Sequence, residues 1–542
     1  MRLLAWVTCA TALALVATAT LAPARSRADV GLSPIGGTLT SPVLVTAPVG
    51  DAHRQFILEQ GGSIWLVVDG VRQAQPFLTV PHAAGEGQNV FSLAFAPDYA
   101  TSGLMYVYEQ RWDNTSSGAA NVKGRVQEFS RSTSDPNRAD PASQRTVLTT
   151  DVMPLSLHVG GHLAFGPDRM LYVSVGDGDD QGNPDNSAQR LDSLRGKLLR
   201  VDPRATSSAP YSVPAGNPYL AGPPPSDLIF ARGLRNPWRF AFDAAGGIFI
   251  GDPGEARRDE IDYAAPGSLS GANFGWNCFE GSLVNNAANT CPGAVAPIHE
   301  YGPSGPASCG AAVIGGLVVR DAGLGALQGR YLYGDYCTGE LRSFLLCNGA
   351  AIDDKPVGRT VPALTSFGED GQHHVYVTAQ PSGGAGSANL LTSYSGPSSA
   401  PCLPVSSPNP SISSARLSST TFRAASRGAS LTRKRRPPIG TNVSYRDSQA
   451  AKTTFTVLKP VTGHRKGRKC VAGRPRKHQK RCIRYVSVGS LTHQDQAGSV
   501  SVHFSGRVRG RKLRPGRYRL ALTPRANGKT GRTATLSFRI IK

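Results

Sequence analysis

At 542 residues the chain is too long for one ordinary compact domain, so two folded units are the natural expectation. Its net charge of +22 is unevenly held: residues 411–542 carry 32 Lys and Arg against two acids, Asp447 and Asp495, which leaves 27 basic and 35 acidic residues in the first 410. That division excludes one uniformly basic body, and no segment beyond the N-terminus has the length and apolarity of a bilayer span.

Arg2 followed by the apolar run Leu3 to Ala17, with small residues at Ala22, Ala24 and Ala28, reads as a cleaved secretory signal over residues 1–28. The run is too short for a transmembrane anchor, and no lipobox precedes Cys9. The expected location is therefore secreted, extracellular or cell-surface associated. Eight cysteines remain after cleavage, and an even number in an oxidising compartment points to disulfides. Sequential pairing is expected: Cys278 with Cys291, Cys309 with Cys337, Cys347 with Cys402, and Cys470 with Cys482. Zinc is the competing use, but none of the eight forms a Cys-x-x-Cys pair.

From residue 29 to about 400 helical periodicity is scarce, and short apolar runs alternate with Gly, Pro, Asp and Asn turns. One phrase recurs: Leu93-Ala-Phe-Ala-Pro-Asp98 before Met105 to Tyr108, and Leu163-Ala-Phe-Gly-Pro-Asp168 before Leu171 to Val175. Phe240-Ala-Phe-Asp243 before Ile248 to Ile250 is a third copy, and Ser366-Phe-Gly-Glu-Asp370 before Val375 to Val377 a degenerate fourth. Each reads as a strand, a tight turn and a second strand, the hairpin of which propeller blades are made. Near-repetition of one hairpin favours a propeller over a β-sandwich. The intervals exceed those of compact blade repeats, so long loops must decorate the blades, and such loops are where sites reside.

His158-Val-Gly-Gly-His162 leads into the second copy, which ends at Gly176-Asp177. Gly160 and Gly161 argue against a helical i, i+4 zinc pair. An imidazole on a strand-edge loop can serve as a general base, with a carboxylate such as Asp177 fixing its tautomer. A lone His is more often structural, and Asp177 could cap a turn. The oxygen-rich stretch Asp177 to Asn186 could bind calcium, but it lacks an acid at position 188, so a solvated loop is the simpler reading. Further on come Gly233-Leu-Arg-Asn-Pro-Trp238 and the acidic turn Gly251-Asp-Pro-Gly-Glu255 before Asp259-Glu-Ile-Asp262.

With these motifs, together with Gln189 to Asp202, Asn273-Phe-Gly-Trp276 and Gly329-Arg-Tyr-Leu-Tyr-Gly-Asp-Tyr-Cys337, the span from Gln55 to Ser395 resembles the glucose/sorbosone dehydrogenase family. This family of six-bladed propellers includes soluble quinoprotein aldose dehydrogenases and hedgehog-interacting-protein-like proteins. The resemblance implies a catalytic set of His158 as base for the sugar C1 hydroxyl, Asp177 orienting it, and Arg235 polarising the oxygen of pyrroloquinoline quinone (PQQ), with oxidation to the lactone. It also implies cofactor contacts from Gln88, Arg235 and Asn236, and a Ca2+ held by backbone carbonyls at Gly254 and Glu255. The late segments Asp335 to Glu340 and Ser366 to His374 depart from the enzymes in having no Lys or Arg for the three PQQ carboxylates. The alternative is accordingly a non-catalytic carbohydrate- or protein-binding propeller of the hedgehog-interacting-protein-like type. A lactone-hydrolysing propeller would need a metal held by side chains.

Pro401, Pro404, Pro408 and Pro410 among serines mark a linker over 401–412. Beyond it, strand-like runs at Thr454 to Leu458, Ile483 to Val488, Ser499 to Phe504, Tyr518 to Leu522 and Thr535 to Ile541 read as a small immunoglobulin-like β-sandwich over 413–542. Cys470 and Cys482 would close its basic hairpin from Arg465 to Arg481. So basic a module suits a polyanion, and in an exported protein an anionic cell-wall polymer rather than nucleic acid; its aromatics fall in strand patterns and make no base-stacking platform. A merely solubilising surface is the alternative. The fold expected overall is all-β: a six-bladed β-propeller over 29–400, then this sandwich.

Overall fold

A computed structural model of the chain describes residues 29–396 and 410–542, short stretches within each excepted. It divides into two compact units, one ending at Leu403 and the other beginning at Pro404. The expected signal peptide and most of the expected linker lie outside the described residues.

The first unit is a six-bladed β-propeller. Its innermost strands are Pro42–Thr46, Glu86–Phe95, Gly160–Phe165, Arg239–Phe242, Val313–Val318 and Leu364–Glu369. Each starts an antiparallel sheet, four-stranded in blades two to five. All four hairpins recognised in the sequence are inner hairpins of blades, with Leu93 opposite Val107, Leu163 opposite Val173, Phe240 opposite Ile250 and Phe367 opposite Val377. Blades one and five carry no copy of the phrase: blade five separates its first two strands by Ala322–Leu327, a 3-10 segment. The last blade is closed from the other end of the unit, because Val30–Leu39 pairs antiparallel with Gly386–Tyr394 as its outermost strand. A closed ring leaves no long unpaired edge, which is how this architecture avoids edge-to-edge association.

The blades pack through buried apolar faces, but the centre of the ring is held by polar bonds. Trp238 Nε1 donates to Thr365 O across 127 residues at 2.9 Å. Arg239, 2% exposed, donates from Nε to Ser366 Oγ (2.8 Å), from Nη2 to Val43 O (2.9 Å) and Phe91 O (3.2 Å), and from Nη1 to Trp238 O (2.9 Å). Its guanidinium carbon lies 4.4 Å from the Trp238 ring centroid. Burial pulls its pKa down to about 9, still above neutral pH, so the guanidinium stays charged. This plug joins strands of blades one, two, four and six. On the Arg239 side is a cavity of about 410 Å³ lined by the inner strands; on the Trp238 side is a smaller one of about 230 Å³.

Three expected disulfides are present, Cys278–Cys291, Cys309–Cys337 and Cys470–Cys482. Cys347 is disulfide-bonded as well, while Cys402, its expected partner, lies outside the described residues.

The second unit is a two-sheet sandwich. Ile412–Leu417, Thr441–Asp447, Gly498–Phe504 and Leu431–Thr432 form one sheet; Thr421–Arg423, Ala534–Ile541, Gly516–Ala526, Ala451–Lys466 and Arg481–Asp495 form most of the other. Between them lie Phe422, Tyr445, Phe455, Val457, Phe504, Leu520, Leu522 and Phe538. Both acids of the unit, Asp447 and Asp495, are buried (2% and 3% exposed), and Tyr445 Oη donates to Asp495 Oδ2 at 2.9 Å. Burial first, then the neighbouring Asp495 carboxylate, pushes the Asp447 pKa up to about 7.

Replacing Arg239 with Leu leaves four acceptors at the ring centre without a donor and should lower propeller stability by about 3–5 kcal/mol, read by denaturant unfolding. Because the folded-state pKa of Asp447 is raised, the folded protein binds the proton more tightly than the unfolded chain does. Its contribution is therefore present at low pH and lost as pH rises from about 4 through about 7. Asp447→Asn should flatten that part of the stability-versus-pH curve of the full chain; an unchanged curve would show that Asp447 is not its source.

Candidate functional site

The start of the third inner strand and the loops of blades three and four build one polar constellation. His158 precedes the strand in a left-handed conformation (φ 46°), which brings its carbonyl against Gly176: a Cβ there would sit 1.8 Å from His158 O. Only glycine permits that approach, which explains Gly176 immediately before Asp177. Gly178 N donates to His158 O at 3.2 Å, so the two loops are laced together.

His158 Nδ1 lies 2.9 Å from Asp177 Oδ1. Asp177 is 1% exposed, and its second oxygen accepts from Trp276 Nε1 at 2.8 Å. Its backbone is fixed too, its N–H donating to Arg235 O (2.7 Å) and its carbonyl accepting from Arg195 Nη1 (3.1 Å). The Arg235 guanidinium carbon lies 5.5 Å from the Trp276 ring centroid, and Nη1 donates to Pro253 O at 3.1 Å. Asn236 Oδ1 accepts from Gly160 N at 3.0 Å, linking the Gly233 to Trp238 segment to the His158 loop. The structure thus brings His158, Asp177, Arg235 and Asn236, spread over 79 positions of sequence, into one bonded group. An imidazole held by a buried carboxylate can accept a proton at its far nitrogen, the chemistry of a general base.

Gln88 is not tied into this group. Its amide nitrogen donates to Gly61 O and Val80 O, at 3.3 and 3.2 Å, within the first two blades. The turn carrying Gly254 and Glu255 is clamped from outside. Gly254 N donates to Asp259 Oδ1 at 3.0 Å, and Glu280 accepts from Ala256 N and Arg257 N, both at 2.7 Å. Burial pushes Asp259 up to about 7 despite that bond. His162 sits apart from the dyad, edge-on to Phe240 (4.9 Å between ring centroids) with Nδ1 3.3 Å from Ser92 Oγ. Burial, then the Arg239 charge, holds it well below the usual imidazole range and so neutral.

Two contributors carried no role in the sequence reading. Trp276 closes the Asn273-Phe-Gly-Trp276 motif, and only proximity across 99 residues shows it as the second partner of Asp177. Asp252 binds both Arg235 N (2.8 Å) and Asn236 N (2.6 Å), and burial still raises its pKa to about 7. The period-two alternation of Asp259-Glu-Ile-Asp262 could have shown that Glu260 and Asp262 share a face.

The fit of PQQ is tested by the cavity on the Trp238 side. Asn236, Trp238, Pro253, Tyr336, Thr365 and Gln380 are among its lining residues, and among the described residues no Lys or Arg lines it. Arg239 is committed to the plug, and Arg235 is engaged with Pro253 and Trp276. Three carboxylates need several cationic partners when taken out of water. The residues at this mouth do not fit such a trianion.

The sequence pattern of the family described as Glucose / Sorbosone dehydrogenase matches residues 40–358. Among curated relatives, HIPL1 protein of Arabidopsis thaliana is 32% identical over 37% of this chain and 32% of its own length, and Hedgehog-interacting protein of Mus musculus 31% identical over 38% and 30%. Quinoprotein glucose dehydrogenase B of Acinetobacter calcoaceticus is 26% identical over 35% of this chain and 40% of its own length. The match thus spans about a third of the length of these relatives. Among solved structures, the PQQ-bound aldose sugar dehydrogenase of Streptomyces coelicolor superposes with a TM-score of 0.50 at 20% identity, covering 67% of this chain and 98% of the other; at that identity the likeness is one of fold. Since the family pattern spans more than half of the sequence, the chain belongs to the glucose/sorbosone dehydrogenase family.

Proposed function

We propose that the protein is exported and that its propeller recognises a neutral sugar at the channel mouth above Trp238. The observation that carries this reading is the make-up of the mouth: the amides of Gln60, Asn236 and Gln380, the Thr365 hydroxyl, and the aromatic faces of Trp238 and Tyr336, with no charged side chain among them. Amides exchange paired hydrogen bonds with hydroxyls, an aromatic face accepts the C–H side of a pyranose, and a neutral guest avoids the cost of an unpaired buried ion. The volume, about 230 Å³, suits one or two sugar units.

A second reading is favoured by the His158–Asp177 pair: oxidation of the sugar C1 hydroxyl to the lactone, with His158 Nε2 taking the hydroxyl proton and Asp177 holding the imidazole. That reading needs a hydride acceptor, and the residues lining the mouth do not fit PQQ. For want of cations at the mouth, the binding reading ranks first.

For the second unit we propose attachment to an anionic cell-wall polymer. Both of its acids are buried, and Arg517 stands directly opposite Arg539 on adjacent strands, both exposed. Like charges so placed repel unless an external anion lies across them.

Titrating the protein with a panel of neutral aldoses by calorimetry should give saturable binding, weakened about 5- to 10-fold by Tyr336→Ala and by Gln380→Ala, each removing roughly 1 kcal/mol of contact. Absence of binding to every sugar would defeat the first reading. If PQQ and Ca2+ added to the protein bring quinone absorbance and aldose-dependent dye reduction, lost in His158→Ala, the oxidative reading displaces it. Retention on isolated cell walls should fall steeply between roughly 50 and 200 mM salt, with a shallower salt slope in the Arg517→Ser, Arg539→Ser double variant. Retention unaffected by deleting residues 411–542 would remove the attachment proposal.

A further inference from the structure

The outer face of the larger sheet in the second unit carries more apolar surface than a solvated face needs. Its strands Arg481–Asp495, Ala451–Lys466, Gly516–Ala526, Ala534–Ile541 and Thr421–Arg423 lie side by side in that order. Alternation sends Phe455, Leu520, Leu522 and Phe538 into the core and the residues between them outward. On the outward side Ile483 is 66% exposed and Tyr485 37%, and Pro460 stands directly opposite Tyr485 on the neighbouring strand. A groove of about 430 Å³ is lined by these three together with Arg517, Ser537 and Arg539. Exposed apolar surface that borders charged groups marks a place where something docks.

Arg519 stacks on Tyr485, its guanidinium carbon 3.9 Å from the ring centroid, which holds the ring in place. Arg517 and Arg539, both exposed, stand opposite each other on adjacent strands. Among the described residues of this unit neither has an acid beside it, since Asp447 and Asp495 are buried. Thr421 is exposed and in register with Arg539, and Ser537 lies two positions along the strand on the same face. The strands that carry Arg517, Arg539 and Pro460 are bonded on both sides, so an added peptide strand finds no free edge there. With Tyr518 and Phe538 buried, Tyr485 alone is too small a platform for successive bases.

We propose that this groove is a subsite for an acidic sugar: a carboxylated pyranose lies with its ring on Tyr485 and Pro460 and its carboxylate between Arg517 and Arg539. A carboxylate accepts paired, charge-assisted bonds from guanidinium groups, and one anion relieves the repulsion of two facing arginines. The C–H side of the ring covers apolar surface that water otherwise wets, and the ring hydroxyls exchange bonds with Thr421 and Ser537. A chain of alditol phosphates supplies the charge but no flat ring, and leaves Tyr485 and Pro460 unused. The subsite rests on the attachment of the second unit to an anionic polymer for the charge of its ligand, and narrows that polymer to a uronate-bearing polysaccharide.

The test titrates the full chain by calorimetry, at roughly physiological salt, with three short probes of equal charge: tetragalacturonate, a glycerol-phosphate tetramer and tetraglutamate. The uronate should bind at least about tenfold more tightly than either of the others. Tyr485→Ala should weaken the uronate about 5- to 10-fold and leave the glycerol phosphate unchanged, Tyr485→Phe should bind as the wild type does, and the Arg517→Ser, Arg539→Ser double variant should weaken all three. Equal affinity for the three probes, or a Tyr485→Ala variant that loses nothing, would overturn the subsite even where cell walls still retain the chain through residues 411–542, and would leave attachment by charge alone. A chain that prefers the uronate through Tyr485 but is not retained by walls keeps the subsite and loses the attachment. Should Tyr485→Ala fail to fold, the wild-type preference among the probes still decides the case.

Discussion

Closure of the ring is the constraint on which the propeller depends. Without the pairing of Val30–Leu39 with Gly386–Tyr394, and the Thr46–Glu369 bridge and Thr365 Oγ1–Pro42 O bond between inner strands, blade six would not be held against blade one. The donors of Trp238 and Arg239 would then have no acceptors in place at Val43, Phe91, Thr365 and Ser366. A charged guanidinium at 2% exposure is tolerable because carbonyls and a hydroxyl from four blades meet it at once. Closure and plug are therefore coupled, and the plug in turn decides what the channel can hold, dividing it into two cavities.

That division bears on chemistry. The pairing of His158 with Asp177 and the stacking of Arg235 on Trp276 have the form of a site that moves a proton, while the adjoining cavity is lined by amides, a hydroxyl and aromatic rings. A fold shared with sugar dehydrogenases does not carry their cofactor along with it. What carries a trianion is a set of cations, and in this chain the two arginines nearest the mouth are occupied inside the protein itself. The negative charge that accumulates is the protein's own, on blade four, behind the loop that bears Arg235 and Asn236.

The second unit reverses these electrostatics. With its two acids folded inward against Tyr445, its described surface presents basic and neutral groups alone, held on a sandwich whose core is ordinary in composition. A strongly basic surface costs self-repulsion and is useful where an anionic partner supplies the missing charge.

Much of this was legible in the sequence. Repetition of one hairpin phrase, twice as Phe-x-Pro-Asp and twice in altered form, located four inner hairpins, because a hairpin is a local object whose strand pattern and turn residues lie within about twenty positions. The C-terminal strands and three disulfides with short separations were readable for the same reason. Blade five was hidden by its inserted 3-10 segment. The N-terminal strand gave no sign that it belongs to the last blade, since its partner lies about 350 residues away. The site divides in the same way: Asp177 beside His158 was foreseeable from motif order, whereas the role of Trp276, the diversion of Gln88 to Gly61 and Val80, and the meeting of Asp252 with Glu260 and Asp262 were not. Sequence by itself determined which residues could form strands, turns and polar loops, because those preferences act over a few neighbouring residues. Which of the polar side chains meet, and which are left buried without a counter-charge, was decided by tertiary structure, because burial and electrostatic pairing depend on distances that a ring sets only when it closes.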